Sequence, residues 1–279
     1  IATTAAIVWE GYTPRFVDID PEHLTIDENK IESAITPNTV AILATHVFGN
    51  PCNIDKINEI AKRHNLLVIY DAAHCFDVKY KGSSIFNYGD ISTCSFHATK
   101  LFHTGEGGAL FCKDRIRRMQ LEQSCNFGHD GLYEYHGLGI NGKMSELHAA
   151  MGLSVLPHMS EIIVDRKQTV DYYMANLPLE KIKIMQIRSD TEWNYSYFPI
   201  IFPTEKILLA CIEILNENSI FPRRYFYPSL NKVNYVEAPS MPISESIAQR
   251  ILCLPLFFGI ERETLNEICI AIKTITSDS

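Results

Sequence analysis

The run Leu66-Leu67-Val68-Ile69-Tyr70, closed by Asp71, restricts the fold more than any other stretch of this chain. An unbroken apolar run between polar neighbours suits a strand covered on both faces, not one with a wet side. Residues 54–64, just before it, place Ile54, Ile57, Ile60 and Ala61 on one helical face with charges opposite. Residues 40–47 form a second apolar run ahead of that helix. Strand, amphipathic helix and strand in this order make a βαβ unit, which requires parallel pairing. The pattern extends both ways, with strands expected at 14–19, 91–96 and 108–112. A short helix is expected at 27–35, ending before Thr36-Pro37. The fold class is therefore α/β, a mostly parallel sheet with helices on both faces.

After Lys113 helices dominate to about residue 177, with Ser145 placed to cap one of them. A strand is expected at 196–202, a helix at 204–216, extended chain at 220–226, and helices at 244–252 and 261–275. The chain divides into a large domain, 1–158, and a smaller C-terminal α/β domain, 159–279. Its 25 basic and 33 acidic side chains leave a charge of −8, which argues against nucleic acid as a partner. No apolar run approaches the roughly 20 residues of a membrane span, and the longest, 251–260, is broken by Pro255 and Gly259. The eight cysteines include no Cys-x-x-Cys pair and several sit among apolar neighbours. They read as free thiols of a reducing compartment, the cytoplasm. The ten histidines show no metal spacing, so no metal is expected.

Ligands of open α/β sheets sit at the carboxyl ends of the strands. Two polar clusters fall there: Asp71-Ala72-Ala73-His74, and Ser95-Phe96-His97-Ala98-Thr99-Lys100, followed by the turn Gly105-Glu106-Gly107-Gly108. Each alone has an ordinary explanation. A strand-end Asp caps a turn, a Lys is a solvated charge, a His is a satisfied half-buried ring, and the turn fits neither a dinucleotide loop nor a P-loop. Together they suit a cofactor with a basic ring nitrogen, an aldehyde and a phosphate, which is pyridoxal 5'-phosphate (PLP). Its aldehyde needs an amine, its ring nitrogen a carboxylate, and its phosphate hydroxyl and N–H donors.

This ordered set resembles the DegT-type sugar aminotransferases, fold-type I PLP enzymes acting on nucleotide-linked keto sugars. Phe16-Val17-Asp18-Ile19-Asp20, Thr45-His46-Val47-Phe48-Gly49-Asn50-Pro51-Cys52 and Gly139-Ile140-Asn141-Gly142-Lys143-Met144-Ser145-Glu146 extend the resemblance along nearly the whole chain. It implies that Lys100 holds PLP covalently and then moves the proton. Asp71 would pair with the ring nitrogen, His74 would lie near the phenolic oxygen and Ser95 would bind the phosphate. Asn141 would reach that phosphate from a neighbouring subunit, making the active unit a homodimer. Glutamate would be the amino donor, and the acceptor a keto-deoxysugar of the dTDP-4-keto-6-deoxyglucose type, in amino-sugar synthesis for a surface polysaccharide such as O-antigen. Relatives that replace the lysine with His dehydrate instead, so Lys100 favours transamination.

Arg223-Arg224-Tyr225-Phe226-Tyr227-Pro228 resembles a segment of that 4-keto-6-deoxyglucose subgroup. Arg223 and Arg224 would grip pyrophosphate and Tyr227 approach the sugar; the plain alternative is surface arginines and a core Phe226. Lys143 and Gly142 stand where relatives carry Arg and an aromatic. The chain opens with Ile-Ala-Thr-Thr-Ala-Ala-Ile-Val-Trp, as though inside an element. The family has an earlier segment with a Gly-Thr phosphate turn and a ring-stacking aromatic. Two alternatives stand beside the sugar aminotransferase: a keto-cyclitol aminotransferase, and a non-catalytic module of the same fold that binds PLP or a nucleotide sugar.

Overall fold

A computed structural model describes residues 1–277. Four strands form the central sheet in spatial order β1 (Ala41–Thr45), β2 (Leu67–Asp71), β3 (Ile91–Ser95) and β4 (Gly108–Phe111). The first three run parallel, with Thr45 opposite Asp71 and Asp71 opposite Thr93; β4 returns antiparallel, with Ser95 opposite Gly108. That register brings Thr45, Asp71 and Ser95 to one edge. The helix Ile54–His64 buries the four residues its pattern singles out, Ile54, Ile57, Ile60 and Ala61. It packs on the sheet face that carries Ile42, Ala44, Val68 and Tyr70. Asn53 caps it by accepting from Lys56 N, and Asn65 closes it in the left-handed conformation. On the opposite face Leu43, Ile69 and Thr93 are half-buried.

The C-terminal half builds its own sheet, with β6 (Phe198–Ile201) between β5 (Lys183–Ile184) and β7 (Ile251–Leu254), all antiparallel. Helices Met159–Asn176, Glu205–Glu217 and Arg262–Ser277 pack around it, and Tyr173, Ile200, Phe202, Leu208, Leu252 and Ile268 are buried in that core. A third cluster joins the halves: Leu24 and Phe48 pack with Met185, Ile247 and Ile251.

Several expectations need correction. Residues 14–19 form no strand; only Ile19 bridges, to Ile26, because no ladder lies beside the rest. The helix expected at 27–35 shrinks to Ile31–Ala34. Asp27 instead folds the preceding turn by accepting from Asn29 N. The helix expected at 244–252 is Pro242–Arg250, and Ile251 and Leu252 belong to β7. Between Ser124 and Ser145 the chain is a loop with a two-residue hairpin at His129–Asp130 and Glu134–Tyr135, not helix.

Ser145 does cap a helix, accepting from His148 N, and the helical run 146–176 follows with a tight turn at Leu156–His158. By length and composition this run, 31 residues, is apolar enough to cross a membrane, although no single apolar stretch in it is long. It and the loop before it leave Leu138, Ile140, Leu147 and Leu153 exposed.

Candidate active site

Asp71 ends β2, so its side chain stands at the carboxyl edge of the parallel strands. Its Oδ2 accepts from the Thr3 hydroxyl at 2.5 Å and its Oδ1 from Ala73 N at 3.1 Å. Thr3 lies in the first turn of the helix Ala2–Trp9, and nothing local in the sequence marks it. Three residues beyond Asp71, His74 is buried. Its Nδ1 accepts from the backbone N–H of Phe48 at 3.0 Å. A ring that takes a backbone N–H at Nδ1 carries its own hydrogen on Nε2. Phe226 lies parallel to the imidazole with centroids 5.8 Å apart, and Tyr197 packs against it at 4.7 Å. Burial, helped by the positive charge of Lys100, pushes His74 down to about 3, so it stays neutral.

Ser95 ends β3, and its Oγ accepts from His97 N at 3.3 Å. The chain then turns, Lys100 N donating to His97 O at 2.9 Å, and returns through Thr104 and Gly107 to β4. Gly107 has φ +153°, and a Cβ there would fall 2.5 Å from Thr104 Oγ1, so the turn needs glycine. Lys100 is partly buried on this turn. Desolvation lowers its pKa, against the opposing pull of Asp71 and Cys94. Asp71 and Lys100 thus feel each other's charge, yet no ion pair closes between them among the described residues. Cys94, beneath them on β3, is pushed up to about 12 by burial and stays a thiol.

The second-half residues are placed differently. Arg224 Nη2 bonds Glu205 and Gln249 O, and its guanidinium lies 3.8 Å above the Tyr227 ring. Arg224 and Tyr227 are therefore engaged with each other and with the start of the helix Glu205–Glu217. Arg223 pairs through its backbone with Cys253, and its exposed guanidinium has no partner among the described residues. Phe226, whose plain reading is core, is the member of this segment that reaches His74. Asn141 is exposed, with Oδ1 accepting from Lys143 Nζ at 2.7 Å, and no hydrogen bond joins it to Asp71, Ser95 or Lys100.

The family model of DegT/DnrJ/EryC1/StrS aminotransferases matches residues 1–273. The chain belongs to this family. The aminotransferase is 39% identical over 284 residues to a dTDP-4-amino-4,6-dideoxy-D-glucose transaminase of Shigella dysenteriae, covering 99% of this chain and 77% of that protein. A transaminase of the same description from Escherichia coli is 37% identical, covering 96% and 75%. Among solved structures, DesI with its TDP-sugar product superposes with a TM-score of 0.92 at 30% identity, covering 99% of this chain and 72% of that one. The aminotransferase is therefore a fold-type I, PLP-dependent sugar aminotransferase. The residues at the strand ends fit that cofactor: a half-buried amine, a carboxylate that feels it without pairing, a hydroxyl and a neutral imidazole offering one N–H.

Proposed function

We propose that this aminotransferase moves an amino group from glutamate to a 4-keto-6-deoxysugar carried on dTDP, with Lys100 as the residue that holds PLP and moves the proton. The convergence of Lys100, Asp71 and His74 at the ends of adjacent strands carries this reading. When bound, PLP supplies the aldehyde and electron-withdrawing ring that let an amino group pass between two carbon skeletons. Asp71, held by Thr3 and Ala73 N, would keep the ring nitrogen protonated. Ser95 would take the phosphate and His74 the phenolic oxygen. Lys100 has a lowered pKa, so more of it is the free amine needed to accept a proton from carbon near neutral pH. Arg223 is the guanidinium left free for a pyrophosphate; Arg224 and Tyr227 would serve by shaping the segment that presents Phe226.

The active unit in this proposal is a homodimer. Leu138, 96% exposed, and Leu147, 83% exposed, flank Asn141 in the chain, and a second copy would cover these apolar side chains while receiving Asn141. Residues 1–158 would form the cofactor-binding domain and 159–279 the smaller one, in keeping with two separate buried clusters. All eight cysteines are free, which suits the cytoplasm, where an activated amino sugar for a surface polysaccharide would be made.

The test is the absorbance of the purified chain with added PLP, before and after glutamate, beside Lys100→Ala. A visible band that glutamate removes, and that Lys100→Ala never forms, supports the reading. Turnover with dTDP-4-keto-6-deoxyglucose but not with a keto-cyclitol then sets the acceptor. No band at saturating PLP would reject it in favour of a non-catalytic module.

A further inference from the structure

We infer that Asn194 is a positioning residue for His74: from the C-terminal half of the chain it locks the loop and the ring so that His74 presents only an N–H to the site. Asn194 is 1% exposed. Its Nδ2 donates to two carbonyls of the His74 loop, His74 O at 2.9 Å and Phe76 O at 2.7 Å. Those two acceptors also settle which way the amide faces, because a flipped amide would set its oxygen against both carbonyls. The Asn194 Oδ1 accepts from Ser196 N at 3.1 Å. Ser196 Oγ lies within hydrogen-bond reach of both His74 O and Asn194 Oδ1 and shares its one hydrogen between them.

The same segment holds the other side of the ring. Trp193 Nε1 donates to Phe48 O at 2.9 Å, while Phe48 N donates to His74 Nδ1. Trp193 thus holds the peptide carbonyl of the residue whose N–H fixes the imidazole. Gly49, at φ +79°, has its missing Cβ position 2.6 Å from Asn194 Oδ1, so any other residue would push the Asn away. Arg166, buried in the helix Met159–Asn176, anchors the segment through Tyr195 O at 2.8 Å and Ser196 O at 2.5 Å. The chemical consequence is a donor with no acceptor role. The ligand atom opposite His74 Nε2 is then a hydrogen-bond acceptor, and a fixed donor there favours the ionised form of an oxygen over its protonated form. That the oxygen belongs to PLP rests on the function proposed above; the tautomer does not.

The decisive measurement is nitrogen NMR of the full chain labelled at histidine, without cofactor, with His74→Gln to assign the signal. The groups facing the ring are Lys100, Tyr197, Phe48 and Phe226. Tyr197 is pushed above its ordinary range by burial, so neither it nor the phenylalanines titrate near neutrality. Wild type should show bare Nδ1 and protonated Nε2, unchanged from about pH 5.5 to 8. Asn194→Ala should release the loop, mixing the tautomers and letting His74 titrate within that window. With PLP bound, loss of the fixed donor should move the pH midpoint of the visible band upward by about one unit. Should Asn194→Ala not fold, Ser196→Ala, which deletes one donor, carries the same expectation at smaller size. Protonated Nδ1 in wild type, or unchanged His74 signals in a folded variant, overturns the inference. Absence of a visible band would instead count against the cofactor reading and leave the NMR result standing.

Discussion

Thr3 and Asp71 are 68 residues apart in the chain, and the hydroxyl of one donates to the carboxylate of the other at 2.5 Å. With Ala73 N on the second oxygen, this holds the carboxylate in one orientation at the strand end. A hydrogen bond to a charged acceptor contributes roughly 1.5–3 kcal/mol. Thr3→Val keeps the side-chain shape and removes the donor. PLP affinity should fall by about tenfold, roughly 1.4 kcal/mol, read by titrating the visible band. An unchanged affinity would show that Asp71 needs no such orientation.

Lys100 gives a prediction with a definite sign. Burial lowers its pKa, so between that lowered value and the ordinary one of about 10.4 the unfolded chain binds more protons than the folded chain. Stability of the cofactor-free protein therefore rises with pH through that window, and the cost of burying the charge is fully in force below it. Lys100→Met should raise the cofactor-free Tm by about 2 °C at neutral pH, with the difference vanishing at high pH, while abolishing the visible band. A lower Tm for the variant would mean that the ammonium is stabilising where it sits.

Asp18 is the opposite case. Burial pushes its pKa up, but Ile243 N, Ser244 N, the Ser244 hydroxyl and Ile19 N all donate to it, and together they bring it below the ordinary value. The first two lie at the start of the helix Pro242–Arg250, so Asp18 caps a helix 225 residues away in the chain. This stabilisation is present above the ordinary aspartate pKa of about 3.9 and is lost as pH falls through the lower folded value. Asp18→Ala should cost about 2 kcal/mol in urea unfolding at about pH 7, and less at about pH 3. Equal costs at both values would remove Asp18 from the acid response.

What the sequence reveals and what it hides follow from the range of the forces involved. The helix Ile54–His64 is legible because its buried face repeats at helical spacing within the element itself. The placement of Asp71 and Ser95 at strand ends, where α/β sheets collect ligand groups, is legible from the runs that precede them. Residues 14–19 read as a strand from their composition, but a strand needs a neighbour, and composition alone does not provide one. Ile251-Leu252-Cys253-Leu254 is apolar throughout, which suits a buried strand or a buried helix equally; pairing with Phe198–Ile201 decides it. Thr3, Asn194 and Phe226 act on Asp71 and His74 through contacts between residues far apart in the chain, and no local pattern encodes those. Arg224, which the resemblance offers as a pyrophosphate grip, bonds Glu205 on the helix Glu205–Glu217, a contact no local pattern encodes either.

The dimer is tested most sharply by complementation. If Asn141 serves the neighbouring subunit's site, Lys100→Ala and Asn141→Ala fail for different reasons in different chains. A hybrid of the two has one site built from the intact Lys100 of one subunit and the intact Asn141 of the other. Co-expression should therefore recover activity that neither variant has alone, to about a quarter of wild type, since half of random dimers are hybrids with one of two sites intact. The same logic requires the apolar side chains flanking Asn141 to be covered. Leu147→Asp, at a position 83% exposed in the single chain, should shift the mass from twice 31.7 kDa toward 31.7 kDa. It should weaken PLP binding in step, because Asn141 leaves with the partner. Recovery absent from verified hybrids would place Asn141 in its own subunit's site or in none.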